Sequence, residues 1–197
     1  MKKTLDILTE LIVTFFYLGR IKYAPGTFGS LAAFPITYCI ISILINTRFL
    51  FPLQGFSEGE REFITIAVCM FLVIGVLSII GVIASRRYME NNKTHDPKEI
   101  VIDEVVGQML TSTLTMISVA FVYNSPSIES LNKPFVDWMC FFIMPFVLFR
   151  ACDIIKPWPI KWIDKNITTA FGVFFDDIVA ALLASVLQYA IIIAYVS

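Results

Sequence analysis

FITIAVCMFLVIGVLSIIGVIA, residues 63–84, contains no charged side chain. About 20 mostly apolar residues carry a helix across the hydrocarbon of a bilayer. The stretch therefore reads as a transmembrane helix, and its neighbours repeat the pattern. Runs 28–45, 105–123, 135–149 and 178–196 are also dominated by apolar residues. Run 135–149 is the shortest and carries Asp137 and Pro145. Asp137 and Trp138 suit the headgroup level, where Trp is favoured. A proline kink is tolerated when neighbouring helices cover it. The expected fold is all-α: an integral membrane helical bundle of about five transmembrane helices, in one domain over residues 1–197.

Composition agrees with that class. The chain is 57% hydrophobic and 16% charged, against about 25% charged for soluble domains. A net charge of −1 offers no surface for a polyanion, so nucleic acid is not an expected partner. Cys39, Cys69, Cys140 and Cys152 form no CxxC pair and read as small buried hydrophobes. Asp6 and Glu10 interrupt any apolar region of a cleavable signal peptide.

Before the first run, Ile7, Leu8, Leu11, Ile12 and Phe15 recur at helical spacing, with Asp6, Thr9, Glu10 and Thr14 opposite. That spacing predicts an N-terminal amphipathic helix, interfacial or packed on the bundle, ending at Gly19. With five spans, the N-terminus through Lys22, loop 85–104 and loop 150–177 share one side. That side holds twelve Lys and Arg residues; the other holds three, Arg48, Arg61 and Lys133. The positive-inside rule puts the twelve in the cytoplasm.

The same side collects four polar clusters. They are Pro25-Gly26-Thr27-Phe28-Gly29-Ser30, then Asp96-Pro97 with Asp103, Glu104 and Gly107, then Arg150, Asp153 and Lys156, and finally Asp176-Asp177. Carboxylate pairs at two helix starts suit Mg²⁺, which takes oxygen ligands and usually keeps water and substrate phosphate. Acids also suit helix starts simply by opposing the macrodipole. Gly107, four residues after Asp103, shares its helix face and leaves room for a close approach. Arg150 and Lys156 suit phosphate. Their plainer reading is an Arg150–Asp153 ion pair with a snorkelling Lys156. The turn at 25–30 can cradle an anion through N–H groups and hydroxyls, or cap a helix through Thr27 or Ser30. Pro157 stops the preceding helix, and Trp158 and Trp162 suit the headgroup level.

His95 is the sole histidine, which excludes a two-histidine phosphatase relay and a multi-histidine zinc site. It reads as a solvated loop residue. Neither a cysteine-phosphatase loop nor a Walker A loop is present.

Pro-Gly-Thr-x-Gly-Ser at 25–30, Asp-Pro-x-x-Ile-Val-x-Asp-Glu-x-x-Gly at 96–107, Arg-x-x-Asp-x-x-Lys-Pro-Trp-Pro at 150–159 and Gly-x-x-x-Asp-Asp-x-x-Ala at 172–180 resemble, in order, the phosphatidylglycerophosphatase A family. The resemblance implies a small, multi-pass, Mg²⁺-dependent phosphatase of the bacterial inner membrane. Such an enzyme converts phosphatidylglycerophosphate to phosphatidylglycerol. It also implies roles: Asp103, Glu104, Asp176 and Asp177 catalytic, with Asp96 and Asp153 added as metal ligands; Arg150, Lys156 and Thr27 on the substrate phosphate. Which carboxylate is base or nucleophile stays open, as do oligomeric state and lipid preference. Two other classes compete. An ion or proton transporter would carry its acids through the bilayer rather than at one edge. A membrane phosphotransferase of phospholipid synthesis would need a longer Asp-Gly…Ala-Arg…Asp…Asp spacing, which is absent.

Overall fold

The structure, a computed structural model, describes residues 2–94, 97–122 and 133–196. Among the described residues the regular structure is helical, with no strand. The helices are α1 (Lys2–Val13), α2 (Pro25–Thr47), α3 (Glu58–Asn92), α4 (Ile102–Val122), α5 (Lys133–Trp138), α6 (Met144–Ile155), α7 (Ile160–Asn166) and α8 (Ala170–Val196). A π-turn, Met139–Ile143, joins α5 to α6 without a break.

Local chemistry sets the helix ends. Ser57 and Glu60 form a capping box: the Ser57 N–H donates to Glu60 Oε2 at 2.8 Å, and the Glu60 N–H donates to Ser57 Oγ at 3.4 Å. The box satisfies two otherwise orphaned donors just before the long apolar run of α3. Pro25 opens α2, where its missing N–H costs nothing. At the end of α6 the chain turns through Lys156, whose φ of 47° is left-handed, and its N–H donates to the Cys152 carbonyl at 2.9 Å.

α2, α3, Pro134–Ile155 and Ala170–Tyr195 are each long and apolar enough to cross a membrane. By length and composition the chain is a multi-pass membrane protein. The remaining expected span, α4, is a 21-residue helix with Asp103 and Glu104 in its first turn. It stands at the centre and packs against α8, α2, α3 and α6. Val105, Val106 and Met109 are buried along it. Ala180, Ala181 and Ala184 of α8 are fully buried, as expected where small residues let two helices approach. Gly81 of α3 receives the ring of Phe174, whereas Gly75 faces open space.

Two expectations change. The N-terminal helix ends at Val13, not Gly19. Thr14 donates its hydroxyl to the Glu10 carbonyl and accepts the Tyr17 N–H, and Phe15, Phe16 and Tyr17 are left-handed. Gly19 instead lets the Glu99 backbone lie against it, where a β-carbon would collide. The second change concerns cysteine: Cys140 and Cys152 are buried, but Cys39 is exposed. α1 packs on α3 through Asp6, which pairs with Arg87 at 2.8 Å. Leu5, Ile7 and Leu8 stay exposed while Thr9 and Val13 are buried, so α1 turns a mixed face to the bundle and leaves several apolar side chains outward.

Candidate active site

Four helix ends meet around a cavity of about 470 Å³. The first turn of α4 brings Asp103 and Glu104, and the second turn of α8 brings Asp176 and Asp177. The last turns of α6 bring Arg150 and Asp153, and the start of α2 brings Gly26 and Thr27. Asp103, Asp176 and Asp177 are buried. Ile154, exposed to 68%, forms an apolar part of the rim.

Asp103, Glu104 and Asp177 each offer a carboxylate oxygen, and these oxygens all lie within 4.8 Å of one another. Asp103 Oδ1 and Glu104 Oε2 are buried without a hydrogen-bond partner. Carboxylates so placed repel unless a cation or shared protons lie between them. An all-oxygen donor set of this kind fits a hard divalent ion such as Mg²⁺. The charge balance of the cavity agrees. Six carboxylates line it against three cations, Lys98, Arg150 and Lys156, so an anionic substrate needs added positive charge to enter.

The other three acids already serve cations. Asp153 Oδ2 accepts from Arg150 Nη1 at 3.0 Å. Asp176 Oδ2 accepts from Lys156 Nζ at 2.7 Å, and Asp176 Oδ1 accepts the Asp177 N–H at 3.1 Å. The Arg150–Asp153 ion pair of the plainer reading is thus present, but Lys156 does not snorkel. The left-handed turn sends it back over the bundle between Asp176 and Asp164, whose Oδ1 lies 2.6 Å from Nζ. Burial alone would lower its pKa, but the hydrogen bonds to Asp164 and Asp176 outweigh that and hold it above the ordinary lysine range.

The turn at 25–30 matters through what it omits. A β-carbon on Gly26 would run into the Glu104 carboxylate and lie 3.2 Å from Arg150 Nη2. Ser30 is not a cap: it donates to the Gly26 carbonyl at 3.0 Å and accepts from Arg150 Nη1 at 3.3 Å. The N–H groups of Thr27 and Phe28 go to the Ala24 carbonyl. Thr27, which lines the cavity, therefore has only its hydroxyl to offer a ligand. Gly107 admits protein rather than substrate, since a β-carbon there would lie 2.6 Å from Phe149 Cζ.

The expected residues Asp103, Glu104, Asp153, Asp176, Asp177, Arg150, Lys156 and Thr27 all line this cavity. Asp96 and His95 lie outside the described residues. Sequence reasoning missed Asp164, which stands among the lysines of 161–165 and resembles a solvated acid; only the chain reversal after Lys156 brings it to the site.

A family model for phosphatidylglycerophosphatase A matches residues 11–192. The chain belongs to the phosphatidylglycerophosphatase A family. Within this family, the Escherichia coli K12 phosphatidylglycerophosphatase A is 29% identical over 180 residues, covering 91% of this chain and 81% of its own. The Haemophilus influenzae protein of that name is 28% identical, covering 92% and 87%. A Bacteroides thetaiotaomicron relative, whose name proposes a phosphatidylinositol-3-phosphatase, is 28% identical over 92% of each chain. No solved structure matches.

Proposed function

We propose that the protein is a Mg²⁺-dependent lipid phosphatase that hydrolyses the terminal phosphomonoester of phosphatidylglycerophosphate at the cytoplasmic leaflet. The observation that carries this reading is the trio Asp103, Glu104 and Asp177, with oxygens within 4.8 Å of one another, beside Arg150 and Lys156 in one cavity. Asp103, Glu104 and Asp177 would hold the ion. When bound, Mg²⁺ supplies Lewis-acid polarisation of the phosphoryl oxygens and lowers the pKa of bound water.

The protein's own groups do the rest. Arg150, fixed by Asp153 and Ser30, presents its guanidinium to the phosphate and balances the charge that develops on it. Lys156 adds a second positive charge, and the Thr27 hydroxyl a neutral donor. A cavity carboxylate takes the proton of the attacking water, the P–O bond to glycerol breaks as the water oxygen bonds to phosphorus, and the carboxylic acid returns the proton to the leaving oxygen, which departs as phosphatidylglycerol. The Lys and Arg bias of the loops supports the cytoplasmic orientation.

Phosphate release by the purified full chain tests the reading. Release from phosphatidylglycerophosphate should require Mg²⁺, stop with EDTA, and return when Mg²⁺ is restored. Turnover indifferent to EDTA sinks the metal, and no release at all sinks the activity.

A further inference from the structure

Lys98 lines two cavities at once. One is the acidic cavity above. The other, about 450 Å³, is walled by Arg20, Lys22, Tyr88 and Glu99 among others. Pro25 also belongs to both, so the two are neighbouring chambers that adjoin at Pro25 and Lys98. Their charges are opposite. The second chamber has Arg20, Lys22 and Lys98 against Glu99 alone. Arg20 is held by Glu10. Lys22 and Lys98 are exposed and have no ion pair among the described residues. Phe16 and Tyr23, on either side of Lys22 in the chain, are 68% and 80% exposed. Exposed aromatic rings of that kind favour the level of lipid headgroups.

The proposed substrate carries two phosphates: a terminal monoester and a diester that joins glycerol to diacylglycerol. Only the monoester reacts. With the monoester at Arg150, the diester lies one glycerol away, and the adjoining basic chamber offers it the excess of cations that the acidic chamber lacks. We propose that the basic chamber is the subsite for this phosphodiester, with Lys98 and Lys22 as its cationic ligands. The inference rests on the phosphatase reading and gives it a specificity. Together the two chambers select lipids that carry a diester behind the monoester, and so discriminate against phosphatidic acid, in which the monoester sits directly on diacylglycerol.

The test is a KM comparison in mixed micelles. In Lys22→Ala/Lys98→Ala, KM for phosphatidylglycerophosphate should rise about five- to tenfold, the scale of losing charge-assisted contacts to one phosphate. KM for phosphatidic acid should rise at least threefold less. Arg86→Ala, which removes an exposed cation outside both chambers, should leave the ratio of the two KM values unchanged. An unaltered ratio in the double variant overturns the subsite. Equilibrium dialysis of short-chain phosphatidylglycerol, which has the diester and no monoester, separates this result from failure of the phosphatase reading. Affinity should fall about fivefold in the double variant whether or not the wild type turns over. Unchanged affinity overturns the subsite even if phosphate is released.

Discussion

α3 and α4 are both apolar helices of one bundle, yet they do opposite work. α3 has the purest transmembrane sequence and leaves Leu72, Val76, Ile79 and Ile83 exposed. α4 carries two acids, a glutamine and several hydroxyls, and is enclosed by its neighbours. The contrast teaches that hydropathy identifies the helices facing lipid better than it identifies the helix that organises the site. Lipid demands only apolarity, so α3 can be uniform. α4 meets other helices on several sides, so each position is specified by a particular neighbour.

The largest predicted effect lies on the α4–α8 side. Asp103→Asn and Asp177→Asn should each lower turnover by about 10³-fold or more, the scale of losing a catalytic electrostatic group. Both variants should stay inserted with Tm held or raised, because like charges are removed. Near-normal phosphate release in both takes them out of the site. Next is Gly26→Ala. Its β-carbon displaces the Glu104 carboxylate, and misplacement of about 1 Å costs roughly 10²-fold in rate.

Two glycines sharpen the comparison directly. Gly107→Ala in α4 meets Phe149 Cζ at 2.6 Å and should destabilise by about 1–3 kcal/mol, as overpacked cores do. Gly75→Ala in α3 meets nothing within 4 Å and should stabilise by up to about 1 kcal/mol through helix propensity. Thermal melts in detergent read both, and equal shifts would erase the distinction between the helices. A smaller effect belongs to Lys156→Gln, about 1 kcal/mol or less after solvent screening. Because the folded pKa is raised, the contribution is complete below the ordinary value of 10.5 and is lost only as pH rises past the folded value. The Tm difference from wild type should therefore be the same at pH 7 and pH 9, and a difference that shrinks by pH 9 contradicts the bridge. Least of all, Ile79→Val on the exposed face of α3 should change stability by under about 0.5 kcal/mol.

Much of this was legible in the chain. Uncharged runs located the helices because a bilayer requires consecutive apolar residues. The acids and bases stood out because they interrupted that apolarity. The pairing of those groups was not legible. Arg150–Asp153 follows from helical spacing, but Lys156 leaves the helix through a left-handed residue, and its contact with Asp164 depends on the reversal through Pro157 and Pro159. The role of Gly26 was equally hidden, since the side chains that fill its space come from residues 104 and 150. The end of α1 was misplaced because the Thr14 hydroxyl and three left-handed residues stop it before the glycine does.

Ile154 at the rim of the cavity, and Ile155 beside it at 72% exposure, bear on how a reaction cycle would run. A boundary of that kind would open the candidate site sideways toward the hydrocarbon. Fatty tails could then stay dissolved in the leaflet throughout, while inorganic phosphate departs into water. The two products would leave by different exits, and throughput would follow the crowding of substrate within the membrane plane rather than its bulk concentration.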